Sequence, residues 1–289
     1  MKISKEDKQF LELYSDSEYD KPSVTVDAVI LRIRNEESKN YRKLPEKKLQ
    51  VFLTKRQYSP FKGDFAIVGT FIDLQYELSD TMKLCVKNKV GLTNYYYEQL
   101  FTFGEKRRDP RTRVLSVGYM LLTNTQEQLR NGEWFDIEVQ KVETNIKEIQ
   151  DGFEIKNVYN LILKNENQEL KNIIEVSNKK VGLEETKIVK ITENNIAFDH
   201  AKIIFMALER LKNKLEYTDI IFNLLPNEFT LTELKQCYEV ILNEKLLDAN
   251  FRRKTAKMVR PTSKYELAKG HRTSQLFTHN PNWNLNNLD

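Results

Sequence analysis

The sequence predicts an α+β protein, and three observations predict it. Between Ser23 and Thr123, short apolar runs alternate with charged, Gly- and Pro-containing loops, and only Asp80–Val90 has helical character. Near Asn195 the apolar period lengthens, with Ile204, Ala207, Leu208, Leu211 and Leu215 recurring every three or four residues. From Thr230 onward two short helical patterns lead into a basic tail of two strand-like runs.

The 289 residues suffice for two compact domains, and 40% hydrophobic with 30% charged residues describes an ordinary globular chain. Its apolar runs are too short to span a bilayer and no leader pattern opens it, so a cytoplasmic location without a membrane partner is expected. Cys85 and Cys237 are the only cysteines, which argues against a disulfide framework or a cysteine zinc site. His200, His271 and His279 do not pair at ligand spacing, so neither a metal nor a cofactor is expected.

Residues 1–22 read as a helical extension, with a helix over 4–14 capped by Ser4, a weak capping partner in Glu6 and a stop at Lys21-Pro22. Val24, Val26, Ala28 and Ile30 then alternate in a long strand from Ser23. A charged loop over 35–48 precedes a strand Leu49–Lys55, the loop Tyr58–Asp64 and one strand over Phe65–Ile72. Leu74–Ser79 is a loop, and Asp80–Val90 is a helix with Ser79 as N-cap and Gly91 as its left-handed end. Strands Tyr95–Phe103 and Val114–Thr123 flank the basic segment GEKRRDPRTR, in which Asp109-Pro110 suits a type I turn. Residues 134–191 read as extra hairpins, with turn signals at Asp151-Gly152, Asn165-Glu166-Asn167 and Gly182. A helix over 198–214 closes this part, with Asp199 placed in its first turn to suit the helix dipole.

Residues 216–289 form a second unit. Tyr217–Leu225 is a short helix stopped by Pro226, and Thr230 with Glu233 makes a capping box for LTELKQCYEVILN. A tight turn, Glu244–Leu247, brings Asp248 in as cap of a third helix, ANFRRKTAKMV. This is a helix-turn-helix, and PTSKYELAKGHRTSQLF supplies two strands of a wing. From Lys245 to His279 the bases are Lys245, Arg252, Arg253, Lys254, Lys257, Arg260, Lys264, Lys269 and Arg272, against only Asp248 and Glu266. A basic helix is usually a solvated face, but the third helix of such a unit lies in the DNA major groove. Asn250, Arg253 and Lys254 fall on its leading part. Asn250 and Arg253 suit base edges, while Arg252 and Arg272 suit phosphates.

The stretch Gly69–Leu92, GTFIDLQYELSDTMKLCVKNKVGL, resembles a Nudix box in layout. Aligned on Gly91-Leu92, the box's Arg-Glu falls on Leu84-Cys85, its Glu-Glu on Asn88-Lys89, its first Glu on Tyr76 and its leading Gly on Thr70. Such helix glutamates stand at i, i+3 and i+4 and hold magnesium against a diphosphate; a thiol, an amide and an ammonium do not. The Pro-Gly-Gly expected before the box is Val68-Gly69-Thr70.

The box, LTKR with Gly63 and Phe65, RDPRTRVLSVGYMLL, and the run AFDHAKIIFMALERLKNKLEYTDIIFNLLPNEFTLTELKQCYEVIL with NFRRK together resemble the Nudix-related transcriptional regulators. The resemblance implies an α/β/α sandwich around a mixed sheet over 23–215, joined to a winged helix-turn-helix over 216–289. It implies a ligand-responsive regulator, a repressor, that senses a nucleotide such as ADP-ribose or a sugar and binds palindromic operators as a homodimer. On that basis Lys55, Arg56, Phe71, Asp109, Arg111 and Arg113 are the candidate effector residues, and no catalytic residue is assigned. The alternative is an active Nudix hydrolase of a nucleoside diphosphate derivative that uses Asp73, Glu77 or Glu105. A third reading, an inactive scaffold, leaves the basic cluster on the third helix without a purpose.

Overall fold

The computed structural model describes residues 4–15, 17, 19–36, 45–267 and 273–283. Its organising strand is β1 (Ser23–Asn35), which runs antiparallel to β2 (Lys47–Lys55) and parallel to β6 (Val114–Leu122). That parallel pair makes the sheet mixed. Both faces of β1 are covered, which explains its nearly unbroken apolar sequence. Val26, Ala28 and Ile30 join Phe52, Tyr119 and Leu121 beneath helix α2 (Leu78–Val90). Val29, Leu31 and Ile33 join Val51, Leu53, Met120 and Leu122 in the cluster beneath helix α3 (His200–Lys214). The result is the expected α/β/α sandwich.

The expected strand Phe65–Ile72 is two short strands, β3 (Phe65–Ala66) on β2 and β4 (Val68–Phe71) on β1. The break falls at Ile67, whose N–H donates to His200 Nδ1 at 3.2 Å. Helix α2 begins earlier than Asp80, with Glu77 rather than Ser79 at its N-cap, while Gly91 (φ 81°) closes it and donates to the carbonyls of Val86 and Lys87. At the N-terminus, α1 (Lys5–Leu13) has Ser4 in a capping box with Asp7, not Glu6, because the partner must stand three residues on.

After β5 (Tyr96–Phe103) and β6, four strands continue the same sheet: β7 (Gly132–Ile149), β8 (Gly152–Lys164), β9 (Glu169–Val181) and β10 (Glu184–Glu193). The sheet order is β10-β9-β8-β7-β2-β1-β6-β5. These extra strands also reach the C-terminal unit, where Asn243 Nδ2 donates to the Val139 carbonyl at 3.3 Å.

The C-terminal unit opens on a 3-10 helix over Ile220–Leu224 in place of a longer α-helix. It continues through α4 (Leu231–Leu242), α5 (Asp248–Thr255) and the wing strands β11 (Val259–Leu267) and β12 (Thr273–His279). The Thr230–Glu233 capping box is present. Leu247, not Asp248, is the N-cap of α5, and the Asp248 carboxylate instead accepts from Lys235 Nζ. The helix stops at Thr255, short of the expected Val259, and Thr255 Oγ1 bonds back to the Phe251 carbonyl at 3.0 Å. Phe277 exchanges backbone hydrogen bonds with Phe229 at 2.8 and 3.0 Å, tying the wing to the start of α4.

One apolar cluster runs from the sheet through Leu211, Ile220 and Leu234 to Phe251, so the basic helix is packed on the core that supports the sandwich. Among the described residues, no helix is long and apolar enough to cross a membrane.

Candidate functional site

A cleft of about 230 Å³ opens where β1, β4, the loop before β6 and the start of α3 meet. At its floor Asp27 of β1 is buried and accepts from Thr25 Oγ1 at 3.3 Å and from Ser116 Oγ. Gly69, opposite Asp27 in the β1–β4 ladder, must lack a side chain, since a Cβ there would lie 1.9 Å from Asp27 Oδ1. Beside it Arg108, also buried, grips Asp199 with two parallel bonds, Nε to Oδ2 at 2.9 Å and Nη2 to Oδ1 at 2.7 Å. Arg108 Nη2 stands 3.9 Å from Asp27 Oδ2 as well. Burial pushes the Asp27 carboxyl above its usual range, opposed by the Ser116 hydrogen bond and the Arg108 charge. Asp199 is therefore an ion-pair partner, and its carboxylate makes no cap bond at the start of α3.

His200 completes the floor. It accepts from the Ile67 N–H through Nδ1, so the neutral ring carries its proton on Nε2. Burial, more than any neighbouring charge, lowers its pKa from 6.5 to about 4. The unfolded chain therefore takes up this proton first as pH falls. The stability that depends on neutral His200 is fully present above 6.5 and is lost on acidification toward 4, by ~3 kcal/mol. Melting curves across that window should show wild type losing stability relative to His200→Asn, which keeps an acceptor for Ile67. Asp27, whose raised pKa acts in the opposite direction, is common to both proteins. Parallel curves for the two would contradict the assignment.

The upper wall is aromatic and cationic. Phe198 holds a left-handed backbone (φ 55°) and lies 4.8 Å from Phe61 and 5.3 Å from His200, centroid to centroid. The guanidinium of Arg56 lies over the Phe198 ring at 4.7 Å, and that of Arg111 lies 5.7 Å from Phe198 and 5.5 Å from Phe71. Asp109 locks Arg111 through bonds of 2.7 Å to Nη2, 3.0 Å to Nε and 2.9 Å to its backbone N–H. The Arg111 contacts hold the Asp109 carboxyl below its usual range. Arg56 Nε donates to the Pro60 carbonyl at 2.8 Å, which anchors the loop that carries Phe61.

Of the expected effector residues, Arg56, Phe71, Asp109 and Arg111 line this cleft, whereas Lys55 and Arg113 do not. Lys55 lies at the end of β2 with its ammonium 5.8 Å from the Phe65 ring, and Arg113 is exposed on a segment whose carbonyl accepts from Ser23 N–H. Lys89, expected on the face of the degenerate box, lines the cleft, and Asp27, Arg108, Phe198 and His200 line it without having been anticipated there. The carboxylates of the hydrolase alternative lie outside it. Asp73 accepts from Gln75 N–H in a turn, Glu77 is the N-cap of α2, and Glu105 pairs with Lys202. Among the described residues no group of three His, Cys, Asp or Glu side chains could hold a metal ion.

At the other end of the chain, Phe251 and Thr255 are buried against the unit's core, with Phe251 edge-on to Tyr238 at 5.5 Å. Asn250, Arg252, Arg253 and Lys254 are exposed. Arg253 Nη2 is 3.5 Å from Asn250 Oδ1, so these two share a face. Lys254 does not share it, because its ammonium folds over the Tyr238 ring at 5.4 Å. Glu239 shapes the preceding turn by accepting from Leu246 N–H at 2.9 Å, and left-handed Asn243 ends α4. Arg272 lies outside the described residues.

Residues 221–278 match the NrtR DNA-binding winged helix domain. The chain is 28% identical over 280 residues to the "ADPR responsive transcriptional repressor NtrR" of Acinetobacter baylyi, covering 93% of this chain and 86% of that protein. Its fold is similar to the crystal structure of a MutT/nudix family protein from Enterococcus faecalis, with a TM-score of 0.66 and 22% identity across 95% of this chain and 93% of the other. It is also similar to Shewanella oneidensis NrtR crystallised with a 27mer DNA, with a TM-score of 0.60 and 23% identity across 90% and 94% of the two chains.

Proposed function

We infer that this chain, which has the architecture of the Nudix-related transcriptional regulators with a degenerate Nudix-like domain fused to an NrtR-type winged helix, is a DNA-binding repressor responsive to a nucleotide effector. The observation that carries the inference is the substitution in the cleft. Where a hydrolase needs carboxylates around a metal, this cleft presents Arg56, Lys89 and Arg111 beside the rings of Phe71 and Phe198. Such a lining suits a ligand with an aromatic base and an anionic diphosphate. The Acinetobacter relative is named for its response to ADP-ribose, and ADP-ribose is the effector assigned here.

The chain acts in the cytoplasm as a homodimer on palindromic operators. Its exposed α5 reads half-sites spaced by one helical turn or a multiple. Asn250 and Arg253 face base edges, and Arg252 faces the phosphate backbone. The shared apolar core supplies a continuous path between cleft and reader. A thermal-shift titration tests the effector: ADP-ribose at a hundred times its dissociation constant should stabilise the full chain by about 2.7 kcal/mol. No shift at any ADP-ribose concentration would overturn the assignment.

A further inference from the structure

Nudix-type chemistry implies a divalent cation on α2, and the donor set here does not fit one. In the register anchored on Gly91, the ligand positions at i, i+3 and i+4 are Cys85, Asn88 and Lys89. Cys85 is buried, and burial raises its thiol pKa. A neutral thiol and an amide are poor partners for a hard cation, which takes several charged oxygens. The cleft's own carboxylates are engaged elsewhere, Asp27 by Ser116 and Thr25, and Asp109 by Arg111.

Lys89 does more than remove a ligand. Its side chain reaches from α2 across to β4, where Nζ donates to the Gly69 carbonyl, and both residues line the cleft with Arg111. An ammonium has three donors, so two remain for a ligand after the Gly69 bond. Arg111, clamped by Asp109, presents a fixed second cation on the same cleft. We propose that the Lys89 ammonium stands in for the divalent cation, so that the cleft binds the diphosphate of its ligand without metal, through Lys89 and Arg111. This rests on the effector reading above and adds how the diphosphate charge is met.

The test is calorimetric titration of ADP-ribose into the full chain, in buffer with EDTA and in buffer with magnesium. The two dissociation constants should agree within about twofold, and Lys89→Met should weaken binding about tenfold or more in both buffers. The Lys89 side chain is exposed, so the ligand-free melting temperature of the variant should stay near that of wild type; Lys89→Gln serves if the methionine variant does not fold. Wild-type binding that collapses in EDTA, or Lys89→Met binding at wild-type strength, would overturn the proposal. Absence of binding in both buffers would instead remove the effector reading on which it rests, and the proposal with it.

Discussion

Arg108→Ala should be among the most damaging single substitutions in the chain, lowering folding stability by about 3–5 kcal/mol. The guanidinium is buried and makes both of its short bonds to Asp199, and its loss strands that carboxylate at the start of α3 with no partner of comparable strength among the described residues. Asp27, 3.9 Å away, loses a compensating charge at the same time. The cost belongs to the abandoned charge and not to the pair as such. Arg108→Leu combined with Asp199→Leu should therefore recover most of the loss, because a buried pair replaced as a unit is often close to neutral. Urea denaturation of the single and double variants reads both numbers. A single variant within about 1 kcal/mol of wild type would mean that the pair does not organise the cleft floor.

The second large effect falls on DNA. Arg253→Ala should weaken binding to a duplex selected by the wild-type chain from a random-sequence pool by about 1–3 kcal/mol and relax the preference at one position per half-site. Arg252, about 100° around α5, should behave differently. Its alanine variant should weaken all sequences alike and lower the slope of log affinity against log salt by about one. Anisotropy titrations on the selected and a scrambled duplex across a salt series separate the two. The same loss on both duplexes for Arg253→Ala would remove it from base reading.

What could be read from the residues was local. The Thr230–Glu233 capping box, the left-handed Gly91 and the alternation along Ser23–Asn35 each depend on neighbours within a few positions, and each is present. The buried Phe251, one turn before buried Thr255 on the same face of α5, follows from helical period in the same way. The cleft floor was not legible, because its partners are far apart in sequence. Arg108 and Asp199 are 91 positions apart, and Ile67 and His200 are 133 apart. Nothing adjacent to Asp199 distinguishes an ion-pair carboxylate from a helix-dipole acid, and nothing beside Ile67 announces that its N–H leaves the ladder. Lys55 was misplaced for a related reason. A strand-end lysine one residue from Arg56 looks equivalent in sequence, yet only Arg56 faces Phe198, since the side chain turns with each successive residue.

Filling the cleft should change the grip of α5 on DNA. The most direct measurement is DNA affinity of the full chain with and without saturating ADP-ribose, paired with ADP-ribose affinity with and without saturating DNA. Coupling of about 1–3 kcal/mol should change each dissociation constant by about 5- to 150-fold, and the two factors must be equal. An unchanged DNA affinity at saturating ADP-ribose would contradict the account.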